Sequence, residues 1–186
     1  MIAKARTNLR KATALALLFS LLSLPSGHAS VAALGGSVIQ ATPYDNRFNA
    51  SGAFSASLAA AGRVHSSDEL FLRARTIRYA KDDTSKDYWQ TPEETQARWA
   101  GDCEDKALWL FAELKKNGYD EVRLVVGRFR STGGYHVWVT MSDGQDNVWV
   151  LDPTAQKKIW KASDFGPGYY KAFYSFDGVN RYRHNT

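Results

Sequence analysis

Residues 102–118 read DCEDKALWLFAELKKNG. Cys103, Ala107, Leu110, Phe111 and Leu114 recur at intervals that place them on one stripe of a helix, the pattern of an element with one buried face. Lys106, Glu113 and Lys116 lie off that stripe. Asn117-Gly118 supplies a helix end, because glycine enters the left-handed backbone region freely. The spacing therefore predicts a helix that begins at Asp102 and carries Cys103 in its first turn, on the inward face.

Two shorter helices are expected upstream. Ser66-Ser67-Asp68-Glu69 has the form of a capping box, with Leu70, Phe71, Ala74 and Ile77 behind it at helical spacing. That helix is expected to end near Asp82-Asp83. Thr91-Pro92-Glu93-Glu94 combines an N-cap, a proline in the first turn and a glutamate three residues on, and starts a short helix ending near Trp99. Downstream the period changes. Val122 to Phe129 is rich in β-branched residues, and Tyr135 to Met141 and Asn147 to Leu151 alternate, as strands with one buried face do. Ser131 to Gly134 and Ser142 to Asp146 read as the turns between them. The aromatic-rich stretch from Ile159 to Tyr182 is expected along the sheet or its edge. Trp99, Trp109, Trp138 and Trp149 are expected in the core. Helices first and an antiparallel sheet afterwards give an α+β fold, with the Cys103 helix packed on the sheet.

The N-terminus reads as an address. Lys4, Arg6, Arg10 and Lys11 precede an uncharged apolar run from Ala12 to Leu24, and Gly27-His28-Ala29 offers small residues to a signal peptidase. The run is shorter than the ~20 residues that span a bilayer. Residues 1–29 are expected to be a signal peptide cleaved near Ala29, residues 30–65 a loosely ordered lead-in, and residues 66–186 the working domain. The formal charge of +5 includes four basic residues of this leader and none of the 19 acidic ones, so the exported chain is nearly neutral. That removes the electrostatic case for a nucleic-acid partner. No second long apolar segment argues for stable membrane insertion. Exported proteins commonly pair their thiols, and the single cysteine here has no partner in the chain. It is either buried and inert or kept for its chemistry.

A helix start favours that chemistry. Its unpaired N–H groups and partial positive charge assist ionisation of a thiol and can hold an oxyanion. The competing reading is a small residue filling a core stripe. A base could come from the hairpin. With the turn symmetric about Gly144, Met141 faces Asn147 and His136 faces Asp152, and directly opposed side chains share a face. Asp152 would then accept the Nδ1–H of His136 and leave Nε2 free, the base-and-orienter half of a triad. A structural His–Asp pair would look the same. His65 and His184 sit in segments without a motif. Asp102, Glu104 and Asp105 oppose ionisation of the thiol they surround, although acidic residues also suit a helix start. A bound calcium ion would resolve the conflict, since calcium takes carboxylate oxygens.

Tyr88-Trp89-Gln90-Thr91-Pro92-Glu93-Glu94, Gly101-Asp102-Cys103-Glu104-Asp105-Lys106-Ala107, His136, Leu151-Asp152 and Tyr174-Ser175-Phe176-Asp177 together resemble the bacterial transglutaminase-like cysteine proteinases, in particular their LapG-type periplasmic members. The resemblance covers about residues 68–180. It implies a papain-like, transglutaminase-like core and a catalytic triad of Cys103, His136 and Asp152. It implies calcium held by Asp102 and Glu104, with Asp105 as a third ligand. It further implies a periplasmic protease that cuts an envelope protein such as a surface adhesin, under an inner-membrane cyclic di-GMP receptor. Pro153-Thr154 after Leu151-Asp152 departs from the LapG pattern, and residues 30–65 do not align with it. Three rivals remain at this level: a transglutaminase-type acyl transferase with the same triad, a non-catalytic binding domain of the same fold, and a structural envelope protein. A second oxyanion donor is looked for at Trp89 or Gln90.

Overall fold

A computed structural model describes residues 35–51, 65–83, 87–130, 133–145 and 147–185. The segment expected to be a signal peptide, residues 1–29, and the remainder of the expected lead-in lie outside them. In chain order the described elements are β1 (Ser37–Ile39), α1 (Asp45–Ala50), α2 (Ser67–Thr76), β2 (Arg78–Tyr79), α3 (Pro92–Arg98), β3 (Ala100–Gly101), α4 (Cys103–Lys116), β4 (Val122–Phe129), β5 (Tyr135–Ser142), β6 (Val148–Leu151), β7 (Trp160–Lys161), β8 (Tyr170–Phe176) and β9 (Arg181–Arg183). Seven strands form one antiparallel sheet in the order β1-β9-β8-β4-β5-β6-β7.

α4 is the hub. It packs against α2, α3, β4 and β5, so more than its stripe is buried: Leu108, Trp109 and Ala112 are inside as well. Lys106 departs from the expectation most clearly. It is buried, and its ammonium donates to the carbonyl of Ile77 at 2.8 Å. A cation at the end of α2 meets the unpaired carbonyls that every helix leaves there.

Both expected capping boxes form, Ser66 with Glu69 and Thr91 with Glu94. α2 ends at Thr76 rather than near Asp83, because Ile77 turns extended and the next residues pair with β3 in parallel. Trp99 closes α3 in a left-handed conformation, φ 46°, which is uncommon for a bulky residue. Its ring meets Trp109 edge-on at 5.5 Å. The β2–β3 ladder, with Ala80 N–H donating to the Gly101 carbonyl at 3.0 Å, anchors the chain just ahead of the cysteine.

The hairpin register differs from the symmetric one by two residues. Met141 pairs with Trp149, and Thr140 with Val150. The cause is Asp143, whose carboxylate accepts from the Gln145 amide, the Asn147 side chain and the Trp149 indole. These bonds centre the loop one residue later than Gly144. A two-residue shift preserves which side chains share a face. The C-terminal segment also enters more deeply than expected, since β8 lies inside the sheet between β4 and β9. The described part of the lead-in is ordered: β1 pairs with β9, and Phe48 of α1 stacks on Phe176 at 4.5 Å. Burial of that one aromatic side chain ties α1 to the core. Trp109 and Trp138 are core residues, while Trp99 and Trp149 pack half-buried against the core.

At Gly127 the β4–β8 ladder shifts register and the strands approach closely. A Cβ there would collide with the Lys171 carbonyl and the Trp138 ring. Gly127→Ala is expected to destabilise the protein by about 2 kcal/mol, the scale of forced overpacking. The check is a lower urea midpoint with an unchanged slope.

Candidate active site

Cys103 occupies the first helical position of α4, directly after the N-cap Asp102. Capping there uses Asp105, which reaches back to the Asp102 amide. The half-buried Cys103 opens into a cavity of about 610 Å³ lined also by Tyr79, Phe129, Tyr135, His136, Thr154, Ala155 and Tyr169. His136 enters this cavity from the start of β5. The backbone N–H of Val137, the next residue, faces the Cys103 sulfur. The structure thus brings the thiol and the imidazole predicted from sequence to one pocket.

Asp152 stands just past the end of β6 and is fully buried. Its Oδ2 lies 2.7 Å from Nε2 of His136. The expectation had the opposite nitrogen facing the carboxylate. Because a buried carboxylate accepts, Nε2 carries the proton and Nδ1 is the nitrogen left to exchange one. The pairing runs diagonally from β5 to the residue after β6, the result of the register shift above. Asp152 Oδ1 accepts from the Thr154 and Ala155 amides at 3.0 and 2.9 Å. Pro153, which departs from the expected pattern, sits within that turn. The phenol of Tyr170 also donates to Oδ2, at 2.8 Å. Nothing around Tyr170 in the sequence marks it, since it lies 18 residues beyond Asp152 in an aromatic cluster.

The three carboxylates next to the cysteine do not act together. Asp105 turns inward and accepts the Gln90 amide N–H at 2.8 Å and its side-chain amide at 2.5 Å. These bonds make it a structural brace. They also employ the Gln90 side chain, whose second bond goes to the Ala100 carbonyl, and the Trp89 indole donates to Asp87. Neither side chain is left as a second oxyanion donor. Glu104 instead converges with Asp82 and Asp87, one oxygen of each lying within 4.8 Å of the others. Asp102 hydrogen-bonds Glu104, and its Oδ1 is buried with no partner among the described residues. The oxygen cluster is therefore Asp82, Asp87 and Glu104, with Asp102 bonded to Glu104 beside it, rather than Asp102, Glu104 and Asp105. The two new members come from the loop between β2 and α3, which no local spacing connects to α4.

The cluster is electrostatically crowded. Burial and the adjoining Asp102 and Asp87 push Glu104 up to about 10. Burial, with Asp102 adding, raises Asp105 to about 6 against the bonds from Gln90. Burial also raises Asp102. The Cys103 thiol donates to Glu104 Oε2 at 3.0 Å and is held well above its ordinary range, first by burial and then by the Glu104 charge. The donor set is all hard oxygen, with an orphaned buried carboxylate oxygen, and fits a calcium ion.

No protein-family model matches the sequence, and no curated protein does. Solved structures do. EGTA-treated LapG of Legionella pneumophila is 24% identical over 79% of this chain and 81% of its own, with a TM-score of 0.59. Calcium-bound LapG from the same organism is 22% identical over 79% of this chain and 83% of its own, with a TM-score of 0.57. The chain has the α+β, transglutaminase-like fold expected from its sequence, in the form that LapG shares.

An acid with a folded pKa above its unfolded one takes up a proton on folding, so stability falls as pH rises between the two values. For Glu104 that window runs from 4.5 to about 10, and for Asp105 from 3.8 to about 6. Chelator-treated protein is expected to lose thermal stability steadily from about pH 5 to about pH 9. Glu104→Gln should flatten the slope above about pH 6, as read by thermal midpoints across the series.

Proposed function

We propose that this chain is an exported, calcium-dependent cysteine protease of the LapG type, with Cys103 as nucleophile, His136 as base and Asp152 as its orienting partner. The observation that carries the reading is the buried His136–Asp152 pair opening onto the same cavity as a thiol at a helix start. The likeness to LapG supports it at the level of fold.

In this reading the Cys103 proton passes to Nδ1 of His136 and the sulfur adds to the substrate carbonyl carbon. The Cys103 backbone N–H, unpaired at a helix start, donates to the oxygen that gains charge. The imidazolium returns the proton to the leaving amine, and the C–N bond breaks. Water then resolves the thioester with His136 again as base. Asp152 holds the imidazole in place through Nε2–H.

Asp82, Asp87 and Glu104 would hold calcium, with Asp102 Oδ1 as a further ligand; the calcium-bound form of LapG supports calcium as the ion. Compensation of the negative charge beside the thiol is the chemistry that calcium supplies here. Asp105 is not in the set, being engaged by Gln90. The basic and apolar leader favours a periplasmic location, and no described helix is long and apolar enough to cross a membrane. The proposed substrate is an envelope protein, a surface adhesin by analogy. An inner-membrane cyclic di-GMP receptor is the proposed regulator on the same analogy.

The test is incubation of periplasmic and outer-membrane proteins with wild type and Cys103→Ala, followed by mass spectrometry of new N-termini. Calcium-dependent termini found only with the wild type are expected, and identical termini in both samples would end the protease reading. His136→Ala should lower the cleavage rate by about 100-fold or more. Calorimetric titration should show calcium binding that Asp87→Asn and Glu104→Gln weaken and Cys103→Ala retains.

A further inference from the structure

Asp152 is fully buried and accepts four hydrogen bonds, about the full capacity of a carboxylate. The Thr154 and Ala155 amides hold Oδ1 from the turn after β6. Two side chains share Oδ2, His136 from β5 and Tyr170 from β8. β8 is separated from β5 by β4, so Tyr170 reaches the carboxylate from a different part of the sheet. We propose that Tyr170 is a positioning residue acting through Asp152, its hydroxyl fixing the carboxylate plane that aims the His136 imidazole at Cys103. The inference rests on the Cys103–His136–Asp152 reading above and adds a fourth member to it.

The direction of the phenol proton is determined by its neighbours. Gln156 donates its side-chain amide to the Tyr170 oxygen at 3.0 Å. That occupies an acceptor position of the hydroxyl and leaves its proton for Asp152. Burial and the Asp152 charge raise the phenol above its ordinary range, so it remains a donor. The ring is held independently of the hydroxyl. It packs on Phe129 at 5.1 Å, and on Trp138 and Phe165 at 5.0 Å each. Trp138 in turn stacks on the His136 ring at 6.1 Å, with 22° between the planes. Packing can hold the Tyr170 ring in place, but only its hydroxyl can hold the carboxylate. With that bond gone, Oδ2 keeps His136 alone and the carboxylate can turn about the Oδ1 contacts.

Tyr170→Phe separates the two roles because it preserves the ring. The experiment measures alkylation of Cys103 by iodoacetamide at neutral pH in the calcium-loaded full chain, which needs no knowledge of the substrate. Thermal midpoints and the Nε2–H proton resonance of His136 are recorded alongside. Wild type should react fastest. His136→Ala should be slowest, and Tyr170→Phe should fall by about tenfold, the lower end of the loss when the outer hydrogen-bond partner of a metal-bound imidazole is removed. The resonance should broaden in Tyr170→Phe as the imidazole is released. Gln156→Leu, which removes only the amide that directs the hydroxyl, should also slow the reaction, by less than Tyr170→Phe, and serves if Tyr170→Phe does not fold. Alkylation within twofold of wild type in both variants with a slowed His136→Ala, or an unchanged resonance, would overturn the role of Tyr170 and leave the triad standing. Wild-type alkylation in His136→Ala would overturn the triad reading itself, and this inference with it.

Discussion

The first turn of α4 carries Glu104, Asp105 and Lys106 into the protein interior, immediately behind the buried cap Asp102. Charges removed from water must find partners or give up their charge. Lys106 finds the end of α2 and Asp105 finds Gln90, so two of the buried groups tie α4 to the elements packed around it. Glu104 and Asp102 find further carboxylates instead, Asp82 and Asp87. The same turn thus holds the helix in place and gathers negative oxygen beside its own thiol. Burial and crowding of that charge favour its neutralisation, by protons or by a cation. This is why chemistry at Cys103 and the occupancy of the cluster are expected to be linked.

The other half of the site depends on the end of the sheet. His136 opens β5 and Asp152 follows β6, so their meeting requires only that the hairpin keep its parity. Strand registers that differ by two residues satisfy this equally well. The loop bonds of Asp143 select one of them, and the imidazole then meets the carboxylate diagonally through Nε2. β8 comes in from across β4 and places a phenol on the same oxygen. The aromatic cluster of Phe129, Trp138, Phe165, Tyr169 and Tyr170 is what keeps that strand end at the site.

Much of this was legible in local spacing. Capping boxes at Ser66 and Thr91, the stripe through Cys103, the β-branched run from Val122 to Phe129 and the alternation in Tyr135–Met141 and Asn147–Leu151 all describe contacts within a few residues of one another. Such signals survive in a single sequence because the physics that makes them is local. Contacts between distant segments leave no such local signal. Nothing near Ile77 shows that α2 stops there because Arg78 and Tyr79 pair with residues 22 positions away. Lys106 lies off the apolar stripe yet is buried, and its partner, the Ile77 carbonyl, lies 29 residues upstream. Nor does anything local to the helix show that Gln90 engages Asp105.

The sequence by itself determined the α+β fold, the helix start under Cys103 and the identity of the two residues that meet behind it, His136 and Asp152. Each follows from a short-range pattern or from strand parity. Tertiary structure alone decided which imidazole nitrogen faces Asp152, that Tyr170 shares that carboxylate, and that Asp82 and Asp87 replace Asp105 beside Glu104. Those outcomes depend on where separate segments pack and on which buried polar groups compete for the same few partners, and no local spacing encodes either.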